Sequence, residues 1–152
     1  MARFDRILCA VDFDANSALA LRVAMELAED RGATLHLLHV VAMPPGPEVA
    51  LSFDKMERAA RTKLKRLARQ KLGDNVAYEI HVTMGDPGLE ILQMAKRLRA
   101  NIIVMATHGR RGLRKLILGS VAERVVREAP CPVLSIKPGS QTASPAKAKR
   151  PR

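Results

Sequence analysis

Apolar residues fall along this chain in two kinds of run. RILCAV (6–11), ATLHLLHVV (33–41), VAYEIHV (76–82), NIIVMA (101–106) and PVLSIK (132–137) are short, nearly continuous and bounded by polar or turn residues. Strands with both faces buried read this way, whereas a strand with one wet face alternates. Between these runs the period lengthens to that of a helix. NSALALRVAMELAEDRG (16–32) predicts a helix with Asn16 as its cap and Gly32 just past its end. AMPPGPEVALS (42–52) breaks regularity with three prolines and a glycine, after which a helix runs to about Leu72. GDPGLEILQMAKRLRA (85–100) carries Pro87 near its first turn, a position that needs no N–H. A last helix is expected at about 120–129, with Ser120 and Glu123 in a capping-box pattern and Val121, Ala122, Val125, Val126 and Ala129 as its apolar face. Five strands joined mostly by helices predict a single-domain α/β fold: a doubly wound, five-stranded parallel sheet with helices on both faces, Rossmann-like.

Length and composition fit that pattern. At 152 residues and 47% hydrophobic content the chain suits one domain with one sizeable core, expected over residues 1–138. The remaining 139–152 are polar, basic and rich in Pro, Ser and Ala, and are expected to form a disordered tail. Cys9 and Cys131 lie far apart, each in or beside a strand, and are expected to be buried, reduced thiols. No stretch resembles a signal peptide or is apolar for long enough to span a bilayer, so the expectation is a cytosolic protein with no membrane partner.

A net charge of +11 raises the question of nucleic acid. The last fifteen residues hold four cations and no acid, leaving seven of those charges on the rest of the chain. DKMERAARTKLKRLARQK (54–71) places Met56, Ala60, Leu64 and Leu67 on one side and Arg58, Arg61, Lys65 and Arg69 on another, the layout of a solvated helix face. With 3% aromatic residues there is little material for stacking bases.

Ligands of doubly wound sheets collect at the carboxyl ends of the strands, where strand order reverses. The loops in that position are VDFDANS (11–17), VVAMPPG (40–46) and ATHGRRG (106–112). The third is suited to an anion. Gly109 and Gly112 let backbone approach a ligand, and Gly119-Ser120 opens a helix whose first N–H groups are unpaired and whose dipole favours negative charge. A basic surface loop followed by an ordinary capped helix is the plainer alternative.

Ala106-Thr107-His108-Gly109, nine residues, then Gly119-Ser120 resembles the G-x-x-G, nine residues, G-S or G-T pattern of the universal stress protein family, in its nucleotide-binding type. The resemblance runs over about residues 4–137, through AVDFD, LHVV, GDP and GSVAERVVREAPCPVLSIK. One departure is Ala106, where the pattern has its first glycine. The resemblance implies ATP as ligand, with Mg as its companion ion. It places adenine and ribose near Val11, Asp12, Val40 and Met105-Ala106, and phosphates against Gly109, Gly119, Ser120, Val121 and Ala122. Asp12 would accept from a ribose hydroxyl, or else bond its own loop. His108 can touch phosphate; Arg110 and Arg111 either clamp phosphates or solvate the loop, with Gly112 closing it. A homodimer through the last strand, PVLSIK, is also implied.

Enzyme classes lose their motifs. No Walker G-x-x-x-x-G-K-[ST] and no G-x-G-x-x-G occurs, the adenylyltransferase H-x-G-H is replaced by T-H-G-R, and the loop after the first strand lacks a Ser-Gly-Gly. Gly109-Arg-Arg-Gly112 matches a KH-type G-x-x-G, but a strand precedes it where that clamp needs a helix. His36 and His39, three apart on a strand, face opposite ways and cannot share a metal. The expectation is a nucleotide sensor or carrier with no catalytic residues and at most slow ATP hydrolysis. The alternatives are a stress protein that binds no nucleotide and acts through protein partners, and a nucleic-acid-associated basic protein.

Overall fold

The computed structural model of the protein describes residues 3–43, 49–108, 118–137 and 139. Its elements run β1 (Arg6–Ala10), α1 (Ala15–Arg31), β2 (Thr34–Ala42), α2 (Val49–Lys71), β3 (Tyr78–Gly85), α3 (Pro87–Leu98), β4 (Ile102–Ala106), α4 (Ser120–Glu128) and β5 (Val133–Ile136). The strands form one parallel sheet in the order β3-β2-β1-β4-β5. The expected doubly wound α/β sandwich is therefore the fold.

The continuous apolar strands are explained by what each face packs against. Ile7, Cys9, Leu35, Leu37 and Val104 point to one side, where Ala20, Leu21 and Ala24 of α1 and Leu64 and Ala68 of α2 cover them. Leu8, Leu38, Ile103 and Met105 point to the other, under Ile91, Leu92 and Ala95 of α3 and Ala122 and Val125 of α4. Neighbouring residues on one strand thus feed two separate cores, and an apolar residue is needed at every position. Truncating one of the fully buried leucines to alanine costs about 2–5 kcal/mol in such a setting. The outer face of α2 is as expected: Arg58, Lys65 and Arg69 are exposed while Leu64 and Ala68 are buried.

Local chemistry corrects several boundaries. The cap of α1 is Asp14, whose Oδ1 accepts the Ser17 N–H at 2.7 Å, and not Asn16. Gly32 ends that helix at φ 61, the left-handed conformation that glycine adopts without strain. α2 begins at Val49, inside the stretch read as irregular. β3 starts at Tyr78 and runs on to Gly85, paired with β2 as far as Ala42, while Val76 is buried in the turn before it. In α4 the buried stripe is Ala122 and Val125, three apart; Val126 is 46% exposed and does not belong to the apolar face. The capping box does not form: Gly119 is the cap residue, no side chain among the described residues makes a capping bond, and Ser120 is already the first helical residue. Cys9 is buried, and burial pushes its thiol up to about 12. Cys131 is only half-buried, its thiol raised by the same cause.

Candidate functional site

Strand order reverses beside β1, which has β2 on one side and β4 on the other. The chain leaves β1 and β4 in opposite lateral directions, and in doubly wound sheets the crevice outside such a switch point is the usual place for a ligand.

The first wall is the β1–α1 loop. Val11 extends the ladder, its N–H donating to the Leu38 carbonyl at 2.8 Å, while its side chain is buried in the α1–α2 core. Its carbonyl accepts from His39 Nδ1 at 2.7 Å, which fixes Nδ1 as the protonated nitrogen of that ring. Both backbone groups of Val11 are thus engaged within the protein. Asp12 donates its N–H to Ser17 Oγ at 3.0 Å, and its Oδ1 accepts the Asp14 N–H at 3.1 Å. The loop-bonding alternative for Asp12 is therefore realised by one of its oxygens.

Phe13 is the residue that sequence reading passed over. It sits at φ 67, a left-handed conformation that non-glycine residues seldom adopt and that concentrates at functional loops. Its ring lies 4.5 Å from the His39 ring, with Lys63 Nζ 4.4 Å from its centroid. A phenylalanine between two aspartates gives no sequence signal of a positive φ; only the packing around it does.

The second wall is the end of β4 with the start of α4. Met105 is buried on the α3–α4 side and Ala106 is half-buried, paired with Ile136. Thr107 is buried; its N–H donates to the Ile136 carbonyl at 2.9 Å and its Oγ1 lies 2.9 Å from His108 Nδ1. Asn16 Nδ2 donates to the His108 carbonyl at 3.4 Å, tying the two walls together. The Gly119 N–H donates to the Thr107 carbonyl at 2.7 Å, and a Cβ on Gly119 would stand only 3.0 Å from that same oxygen. Gly119 has an extended backbone, φ −68 and ψ 162, so what requires glycine here is close approach to β4 rather than an unusual dihedral.

That contact sets the start of α4 against the end of β4. The helix's first backbone bond is Glu123 N–H to the Gly119 carbonyl at 2.9 Å, so the N–H groups of Ser120, Val121 and Ala122 precede the intrahelical ladder. Ser120 is exposed, Val121 half-buried, and Ala122 buried in the core, so Ala122 can meet a ligand only through its backbone. Among the predicted site residues the fold brings together Val11, Asp12, Met105, Ala106, His108, Gly119, Ser120, Val121 and Ala122. Val40 lies one strand further, half-buried against the α3 side. Gly109, Arg110 and Gly112 lie outside the described residues.

A parallel sheet wound on both faces, with a crevice at its switch point and a glycine-capped helix opening beside it, defines an α/β domain of the Rossmann-like class. Residues 3–137 match the model of the universal stress protein family, and the chain belongs to that family. A universal stress protein from Thermus aquaticus is 34% identical over 139 residues, 88% of this chain and 99% of the relative. The solved structure of UspA from Lactobacillus plantarum superposes with a TM-score of 0.77 at 25% identity, over 90% of this chain and 99% of that one. A universal stress protein from Archaeoglobus fulgidus, solved in complex with dAMP, shares the fold at 23% identity and a TM-score of 0.58, over 90% of this chain and all of that one. Among the described residues no helix is long and apolar enough to cross a membrane.

Proposed function

We propose that this protein binds ATP or a related adenine nucleotide in the switch-point crevice and acts as a stress-response sensor or carrier rather than a rapid catalyst. The observation that carries the reading is the start of α4. It is held against β4 by the Gly119–Thr107 bond, lacks any side-chain cap, and offers successive N–H groups and a helix dipole to an anion. The spacing from Ala106-Thr107-His108-Gly109 to Gly119-Ser120 supports it, as does dAMP bound to a family member of the same fold. Base and ribose then fall toward Val11, Asp12, Val40 and Met105-Ala106, and phosphates toward Gly109, Gly119, Ser120, Val121 and Ala122, with His108, Arg110 and Gly112 in the loop beside them. Mg enters as the companion ion of the phosphates. The edge position of β5 and the exposure of Leu134, 37%, support pairing of two copies through that strand.

Mass spectrometry of small molecules released from purified protein, followed by calorimetric titration with ATP and adenosine, tests the reading. The expected result is a saturable adenine nucleotide site that prefers ATP. Binding of neither ligand would leave the stress protein that acts only through protein partners; equal affinity for both would remove the α4 start from the site.

A further inference from the structure

Away from the crevice, in the amino-terminal half of β2 and along the edge strand β3, three side chains converge that the nucleotide reading does not use. His36 pairs with Glu79, and Leu38 with His81, in the parallel register of the two strands. Glu79 and His81 are two apart and share a face, while Ile80 between them packs into the opposite core. His36 Nδ1 lies 3.1 Å from His81 Nε2 and 3.3 Å from Glu79 Oε2, and the last two atoms are 3.7 Å apart. Donor atoms around a tetrahedral zinc ion, with bonds of ~2.0–2.1 Å, stand about 3.3–3.4 Å from one another. The triangle has that size without any rearrangement of the strands.

A hydrogen-bonded trio is the alternative for the same atoms. The His36 side chain is 6% exposed, and its Nε2 has no partner among the described residues. A neutral imidazole carries one proton, so either tautomer buries an unpaired nitrogen, at a cost of about 1–3 kcal/mol. A cation on Nδ1 leaves Nε2 as a buried N–H and does not remove that cost, so the case for a cation rests on the spacing of the three donor atoms. Two imidazole nitrogens and one carboxylate oxygen at this spacing can be bound by a single cation.

We propose that His36 Nδ1, His81 Nε2 and Glu79 Oε2 form a binding site for a zinc-class divalent transition ion, with the fourth position open to solvent on the side of the exposed Glu79. Two imidazoles and one carboxylate are a borderline donor set that suits Zn²⁺ and its neighbours and disfavours Mg²⁺, which takes oxygen ligands in an octahedron. Burial lowers the pKa of both histidines, with Arg6 adding to the effect at His36, His36, Arg97 and Arg61 adding to it at His81, and Glu79 opposing it at each. Neutral imidazole is the form that binds metal. The same arginines oppose a bound cation, so the site is weaker than a four-ligand structural zinc centre and suits reversible loading.

The test is calorimetric titration of ZnCl₂ into the full, tag-free chain, with Co²⁺ absorption as a report of coordination geometry. One equivalent should bind, excess Mg²⁺ should not compete, and Co²⁺ should give the intense visible bands of a tetrahedral ion. Glu79→Gln and His81→Ala should each weaken zinc by about tenfold or more, with the fold verified by circular dichroism, and Cys131→Ser should leave it unchanged. Glu79 is 59% exposed, so its variant folds even if changes at His36 do not. Absence of a saturable site, or zinc affinity unaltered in both Glu79→Gln and His81→Ala, overturns the proposal. Nucleotide affinity is a separate measurement, and its loss or retention does not bear on this site.

Discussion

α3 and α4 both begin at the carboxyl edge of the sheet, each a few residues beyond a strand or its loop, yet their first turns are treated in opposite ways. At α3 the cap is Asp86: its Oδ1 accepts the Leu89 N–H at 2.8 Å and also Arg124 Nη1 at 3.1 Å, while Pro87 supplies no N–H at all. Little of that helix start is left for a ligand. At α4 the cap is Gly119, which has no side chain to offer and whose own N–H is spent on the Thr107 carbonyl. A carboxylate at a helix start stabilises the helix by occupying the place an anionic ligand would take. Thus α4 gives up local stability at the strand-order reversal, and α3, which follows the edge strand β3 in the chain, does not.

Placing a side chain at the open start should have the largest effect. Gly119→Val brings its Cβ to 3.0 Å from the Thr107 carbonyl before its methyl groups are counted. Overpacking of this kind costs about 1–3 kcal/mol, and ATP affinity should fall by about a hundredfold, or roughly 2.7 kcal/mol. Adenosine should lose less. Thermal unfolding and calorimetry read both, and a folded variant with unaltered ATP affinity would break the contrast between the two helices.

Removing the closed start comes next. Asp86→Ala should lower stability by about 1 kcal/mol through the lost cap, with a smaller part from the half-exposed pair with Arg124. ATP affinity should stay within about twofold, since α3 lies outside the crevice. A larger loss of ATP would extend the site to α3. Asp86→Gly sharpens the point further: glycine in place of a capping side chain costs only a few tenths of a kcal/mol for the cap itself. Inorganic phosphate should gain no site there, and if it does, an open helix start is sufficient without a switch point.

The smallest effect is expected at Ser120. Because it makes no capping bond, Ser120→Ala should change stability by less than about 0.5 kcal/mol. A neutral hydroxyl contact to phosphate is worth about 1 kcal/mol, so ATP affinity should drop several-fold and adenosine affinity not at all. Stability loss near 1 kcal/mol would mean that Ser120 caps the helix in solution and that the two starts are closed alike.

Much of this was legible beforehand because the signals were local. Uninterrupted apolar runs marked strands packed on both faces, and Gly32 and Pro87 marked an end and a start through backbone geometry that each residue imposes on itself. Asp14, two residues before the expected cap, was missed because a D-A-N-S stretch offers several side chains able to cap and only the turn of the loop selects among them. Ser120 was misread for the same reason. Gly119 was seen as a glycine with a purpose, but its nearest constraint, the Thr107 carbonyl, lies twelve residues away across the crevice.

The sequence by itself determined the architecture, since five two-sided apolar runs separated by helical periods have few ways to bury all their surface other than a parallel sheet covered on both faces. It also marked the region of the proposed site, because glycines and a helix start are written in contiguous residues. Which atoms meet there was decided by the tertiary structure. The bond between Asn16 and the His108 carbonyl joins residues ninety-two positions apart, and Phe13, at its positive φ, has its ring beside His39 and Lys63 from two other elements. His36 was correctly separated from His39 by the alternation of a strand, yet its actual neighbours stand on the next strand, forty-five residues on. Strand periodicity fixes which face a side chain takes, whereas register between strands is set by how the whole core closes, and that register is what places two imidazoles and a carboxylate around one point.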